Sequence, residues 1–173
     1  MFKSAQIKPG YKEPLFVRFI NGDTGLMEML DSFSQSKDPY TLQAVEKARV
    51  NTPDISDFKK ELKEAVLDIV KEGIDDTFKV FVDHYMGGAL EEDIKSSKDP
   101  LGDNVQRVVR VINDEAPWIQ ALICYNLSLY IRTFGLESLK SCKVCNKLFS
   151  NKGQYAAYCS DSCKKQSKIA PKV

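Results

Sequence analysis

Apolar residues along this chain recur mostly at the spacing of one helix face. The first such segment carries Leu26, Met27, Met29, Leu30 and Phe33, and Asp23 or Thr24 can cap it. Asp38-Pro39 pairs a capping residue with a first-turn proline and opens a second helix to Val50. Thr52-Pro53 opens a third, where Ile55, Phe58, Leu62, Val66, Ile69 and Val70 keep the helical period up to Gly73. Asp75 or Asp76 begins the next, carried by Phe78, Phe81, Val82, Tyr85 and Met86 and stopped at Gly87-Gly88. Val105, Val108, Val109 and Ile112 predict a fifth. Pro117 starts the last, Trp118 to Phe134, whose apolar residues wrap more than half its circumference. That is the pattern of a central helix buried by its neighbours.

Other stretches depart from this period. Residues 1–14 hold Pro9, Gly10 and Pro14 and read as an irregular arm. Leu15-Phe16-Val17-Arg18-Phe19-Ile20 is β-prone and ends at the turn sequence Asn21-Gly22-Asp23. It predicts one early strand, paired with the arm or with the C-terminal end. The charged run Glu91–Leu101 reads as a loop. The expected fold is therefore mainly α: a bundle of about six helices with one early strand over residues 1–137, followed by a small module at 138–173.

The module is where chemistry enters. Four of the five cysteines lie there, spaced Cys142-x2-Cys145-x13-Cys159-x3-Cys163. A Cys-x2-Cys pair closes on a metal across a tight turn, and Cys-x3-Cys does so across one turn of helix. Two such pairs make a closed shell of four thiolates, the usual structural zinc site, with no open position for catalysis. Two disulfides and an iron–sulfur cluster are the alternatives. The first is disfavoured by the lack of a secretory leader pattern, the second because the pairs lack the usual ferredoxin spacing. Asn146 suits the left-handed turn of a knuckle. Leu148–Ser150 and Gln154–Tyr158 flank the turn Asn151-Lys152-Gly153 and read as a β-hairpin, and Ser160 or Asp161 can cap a helix carrying Cys163. Cys124, on the apolar last helix, reads as a buried thiol.

Charge sharpens the division. The net charge is only +1, yet residues 138–173 hold eight lysines against the single acid Asp161. Residues 1–137 hold 17 Lys+Arg and 23 Asp+Glu. A basic end on an acidic body points to nucleic acid or another acidic surface. With no apolar run long enough for a membrane span and no leader, the expected location is cytoplasmic.

The string Cys-x-x-Cys-Asn-Lys-x-Phe, followed by Tyr-Cys-Ser-x-x-Cys-Lys-Lys, resembles the CGNR-type treble-clef zinc fingers of bacterial and phage proteins. In that family the finger follows a largely helical domain, and transcription regulation is the usual role. The resemblance covers residues 142–167, and it implies zinc on Cys142, Cys145, Cys159 and Cys163. Where the family has Gly-Asn-Arg after the last cysteine, this chain has Lys164-Lys165-Gln166.

Catalytic parts are lacking in the text. His84 is the only histidine and sits between apolar pairs on its helix, with no nucleophile motif beside it. No glycine-rich phosphate loop is present, and no small-molecule substrate is evident. The expectation is a non-enzymatic zinc-finger protein that binds nucleic acid through its C-terminal end. Lys143, Lys147, Lys152, Lys164, Lys165 and Lys168 would meet phosphates, with Tyr155 or Tyr158 available for stacking on a base. The alternative is a protein-interaction module whose acidic helical body docks a partner while the zinc is purely structural.

Overall fold

The computed structural model describes residues 13–34, 38–99, 102–115, 117–150 and 157–169, with the backbone alone over 92–108. The arm before residue 13 lies outside the described residues. The fold is mainly helical, with two small antiparallel hairpins.

The segment expected as a strand is a helix, α1 (Leu15–Asn21). Its buried side chains are Phe16, Val17, Phe19 and Ile20, which share one helix face. A strand would have put Arg18 on the same face as Phe16 and Ile20, burying a guanidinium with them. Gly22, at φ 78°, ends the helix, and the amides of Gly22 and Asp23 turn back to the carbonyls of Phe19 and Arg18 at 3.0 and 2.8 Å. Phe16 then meets Tyr130 edge-on at 5.2 Å, and the Lys59 ammonium lies 4.7 Å above the Phe19 ring.

Next comes α2 (Leu26–Phe33), capped neither by Asp23 nor by Thr24. Gly25 holds the cap position and the Glu28 carboxylate accepts its amide at 3.3 Å. Thr24 is buried and Asp23 is engaged elsewhere, as described below. In α3 (Pro39–Val50) the expected start is found: Asp38 accepts from both the amide and the hydroxyl of Thr41 at 2.8 Å. Those two bonds hold the Asp38 carboxyl below its ordinary value. Its stabilising effect is present above the unfolded carboxyl's value of about 3.9 and fades as pH falls through the lowered folded value. Asp38→Ala should cost about 1 kcal/mol in urea unfolding at neutral pH, with little difference from the parent once the carboxyl is protonated.

α4 (Ser56–Glu72) starts a few residues later than Thr52-Pro53 suggests, at the point where Asp54 accepts from the Ser56 amide at 2.9 Å. Its buried row is Phe58, Leu62, Val66 and Ile69. In α5 (Asp76–Met86) Asp75 caps by accepting from the Phe78 amide at 2.8 Å.

The chain then departs from expectation a second time. Leu90–Asp99, expected as a loop, is strand β1, and Gly102–Val111, which contains most of the expected fifth helix, is strand β2. They pair antiparallel from Leu90 opposite Val111 to Asp99 opposite Gly102. Four valines in β2 supply β-branched bulk, and pairing with β1 satisfies backbone groups that a short helix leaves open at both ends. The hairpin is anchored at its base, where Val111 is buried and its amide donates to Thr41 Oγ1 at 3.0 Å.

α6 (Trp118–Phe134) is the central helix the sequence predicts, burying Trp118, Ile119, Ala121, Leu122, Ile123, Cys124, Leu127 and Tyr130. Each large side chain taken fully from water contributes on the order of 1.5–3 kcal/mol. After Gly135 a single 3-10 turn, Leu136–Ser138, leads into β3 (Leu139–Ser141), β4 (Leu148–Ser150) and α7 (Asp161–Ile169). Leu139 and Leu148 belong to the same buried cluster as α1 to α6, so this end of the chain packs into the helical core.

Candidate metal centre

The four C-terminal cysteines are brought together by two local devices. The first is the link between β3 and β4, which pair antiparallel with Leu139 opposite Ser150 and Ser141 opposite Leu148. Cys142 follows β3 directly. Its carbonyl accepts from Asn146 at 2.9 Å, and its amide donates to Lys147 O at 2.9 Å. Closing so small a loop requires one left-handed residue, which is Asn146 at φ 55°. This is the predicted knuckle.

The second device is the N-terminus of α7. Ser160 supplies the cap, its hydroxyl accepting from the Cys163 amide at 3.2 Å. Cys159 thus sits just before the helix and Cys163 one turn into it. The two halves are joined where Lys143 donates its amide to Ala157 O at 3.1 Å. Leu148–Ser150 is a strand, as expected, and among the described residues it pairs with β3. Most of the expected partner, Gln154–Tyr158, falls outside the described residues, together with Lys152 and Tyr155.

All four Sγ atoms lie within 4.8 Å of one another. Cys145 is 3.5 Å from Cys159 and 3.8 Å from Cys163, and Cys159 is 3.7 Å from Cys163. Every one of these separations exceeds a disulfide bond length of about 2.05 Å, and all five cysteines are free. A cluster of this kind can hold a metal ion.

The electrostatics agree. Burial opposes ionisation of Cys142, but the amides of Cys145, Cys159 and Val144 outweigh it and bring its thiol down to about 6. Burial raises the Cys159 thiol, and contacts with Cys145, Cys142 and Cys163 raise it further. The Cys142 thiolate is thus favoured and the Cys159 thiolate opposed, an opposition that a bound cation would remove. Cys124 stands apart, its thiol pushed up to about 12 by burial.

Phe149 is buried against Cys142 and Cys163, with Tyr158 and Cys159 packed around them. Tyr158 therefore belongs to the packing of the cluster. The remaining expected contact residues divide in two. Lys143, Lys164, Lys165 and Lys168 are exposed, and none has an ion-pair partner among the described residues. Lys147 instead pairs with Asp23 at 2.6 Å. His84 is exposed on α5, its ring 4.9 Å from that of Tyr85.

Sequence reasoning missed the residues that seat the centre on the body. The Asn21 side chain donates to Leu148 O at 2.6 Å and accepts from the Leu148 amide at 2.9 Å. Glu13 accepts from the Ser150 amide at 2.9 Å, and its carboxyl is raised by burial against the lowering effect of Ser150. These contacts span 127 and 137 residues of chain, beyond the reach of any local pattern.

No described helix is long and apolar enough to cross a membrane. In comparisons with known proteins, no family model, no curated protein and no solved structure matches this chain.

Proposed function

We propose that this chain is a non-enzymatic zinc-finger protein that binds nucleic acid, a small regulator of the kind found with CGNR-type fingers in bacteria and phages. The observation that carries this reading is the set of exposed lysines Lys143, Lys164, Lys165 and Lys168, which lie beside the four-cysteine cluster and have no ion-pair partner among the described residues. Lys164 and Lys168 are one helical turn apart on α7, and Lys165 widens the ridge. A rigid cationic ridge suits a phosphate backbone.

Zinc is the ion that best suits the donors. A tetrahedron of thiolates with Zn–S bonds of about 2.3 Å has sulfurs about 3.8 Å apart. Three of the observed separations run from 3.5 to 3.8 Å. Cys142, Cys145, Cys159 and Cys163 would fill all four positions, so the metal's contribution is to fold the segment. The finger contains no arginine, so bidentate reading of guanine by a guanidinium is absent and sequence selectivity should be modest.

The test is a salt titration of binding to labelled duplex DNA, read by fluorescence anisotropy. Four phosphate contacts predict that log affinity falls against log salt with a slope of about −3.6. Lys164→Glu combined with Lys165→Glu should reduce the slope to about −1.8 and weaken binding by roughly tenfold or more at low salt. Zinc content and helicity should be unchanged. A slope near zero, or indifference to the double reversal, removes the proposal and favours a function centred on the acidic body.

A further inference from the structure

The four cysteines of the metal centre differ in how far solvent reaches them. Cys142 and Cys163 are buried, at 0% and 9% exposure, and Phe149 packs with both. Cys159 is partly covered in the same packing, beside Tyr158. Cys145 is the one member of the four that this apolar packing leaves out, and it is exposed. It stands at the tip of the knuckle, just before the left-handed Asn146, whereas Cys163 is one turn inside α7. Its Sγ is 3.5 Å from that of Cys159, nearer than Cys159 is to Cys163 at 3.7 Å or Cys145 to Cys163 at 3.8 Å.

A closed shell leaves no open position on a metal, yet its sulfurs stay nucleophilic, because a metal-bound cysteine is held as the thiolate. The thiolate is the form that oxidants attack, and exposure decides which one reacts first. One exposed sulfur with a second close beside it is the arrangement of a sensing cysteine and its resolving partner.

We propose that hydroperoxides switch this centre off by oxidising Cys145, closing it onto Cys159 as a disulfide and so releasing the zinc. The proposal rests on the reading of the cluster as a zinc site and adds regulation to it. The chemistry balances with hydrogen peroxide as the oxidant. The Cys145 thiolate attacks one peroxide oxygen, the S–O bond forms as the O–O bond breaks, and hydroxide leaves. Two electrons pass from sulfur to peroxide. The Cys159 thiolate then attacks the Cys145 sulfur, forming the S–S bond and expelling the second hydroxide. Two thiolates, one peroxide and two protons thus become one disulfide and two waters. Only Cys142 and Cys163 are left as ligands, too few for a structural site of four. Without the metal, α7 loses the anchor at Cys163 and with it the fixed placement of Lys164, Lys165 and Lys168, so nucleic-acid binding should be lost as well.

Graded hydrogen peroxide added to the zinc-loaded full chain, with a chromogenic zinc chelator reporting release, tests the switch. One zinc per chain should be freed. Non-reducing peptide mapping should find Cys145 joined to Cys159, with Cys124, buried in α6, still a thiol. Dithiothreitol with added zinc should restore the metal content. Cys145→His replaces the thiolate by an imidazole, and three sulfurs with one nitrogen also hold zinc. That variant should keep its metal and release it roughly tenfold or more slowly under peroxide. Trapping of sulfenic acid by dimedone in the parent should label Cys145 first, and this decides the matter if Cys145→His fails to hold zinc. Zinc that stays bound under peroxide, a first label on another cysteine, or a zinc-loaded Cys145→His as sensitive as the parent overturns the switch and leaves the zinc reading standing. A parent purified without zinc overturns both.

Discussion

One zinc ion per chain is expected in purified protein, and stripping it should open residues 139–169 to protease. The reason is the size of the local core. Among the described residues, the cluster's own buried apolar side chains are Cys142, Phe149 and Cys163, with Tyr158 and Cys159 partly covered. So few side chains cannot offset the entropy of ordering this segment, about 1–2 kcal/mol per residue of backbone. Structural zinc in short fingers contributes an apparent 10–16 kcal/mol, enough to decide whether the segment folds at all. Cys145 is the exposed member of the four, so Cys145→Ser removes a ligand with the least disturbance of packing. It should abolish stoichiometric zinc and match the chelated protein in a proteolysis time course, with metal content read by mass spectrometry. Protein that lacks zinc yet resists protease equally well would refute a metal-organised end.

The effect should extend into the helical body, because β4 is shared. Leu148 is buried in the main core while its backbone is held by Asn21, and Leu139 lies in the same core. Chelation should therefore lower the thermal midpoint of the helical signal as well as expose the C-terminal segment.

What the residues disclosed in advance follows from the range of each interaction. The knuckle, the Ser160 cap and the helix bearing Cys163 are set by contacts within a few residues, so spacing alone revealed them. Long periodic segments such as α4 and α6 were equally plain, because several turns of one apolar face admit no rival period. Short segments misled in both directions. Seven residues of α1 carry Phe, Val and Ile, all β-prone, and only the burial of Phe16, Val17, Phe19 and Ile20 against α6 and its neighbours selects helix. In β2 the valines at 105, 108 and 109 happen to fall at helical spacing, while the partner strand that decides the matter is a charged run resembling a loop. Nor could any local pattern show that the turn sequence Asn21-Gly22-Asp23 lies against β4.

That turn carries the second large effect. Asn21→Ala should destabilise the protein by about 2–3 kcal/mol in denaturant unfolding, although the residue lies far in sequence from the cysteines. A side-chain amide offers a donor and an acceptor in one plane, and Asn21 uses both on Leu148 as a neighbouring strand would. Alanine leaves the N–H and C=O of a buried residue without partners, at about 1–3 kcal/mol each, toward the lower end in this partly covered site. Asn21→Asp should be no better, because it keeps the acceptor and sets a carboxylate against the Leu148 carbonyl. Since these bonds exist only while β4 is formed, zinc affinity should fall in Asn21→Ala by the same linkage. A double-mutant cycle with Cys145→Ser is the decisive measurement. Once the metal-held segment is unfolded Asn21 has nothing left to hold, so the combined loss should be well below the sum of the separate losses. Strict additivity would instead mean that the finger folds without reference to the helix beneath it.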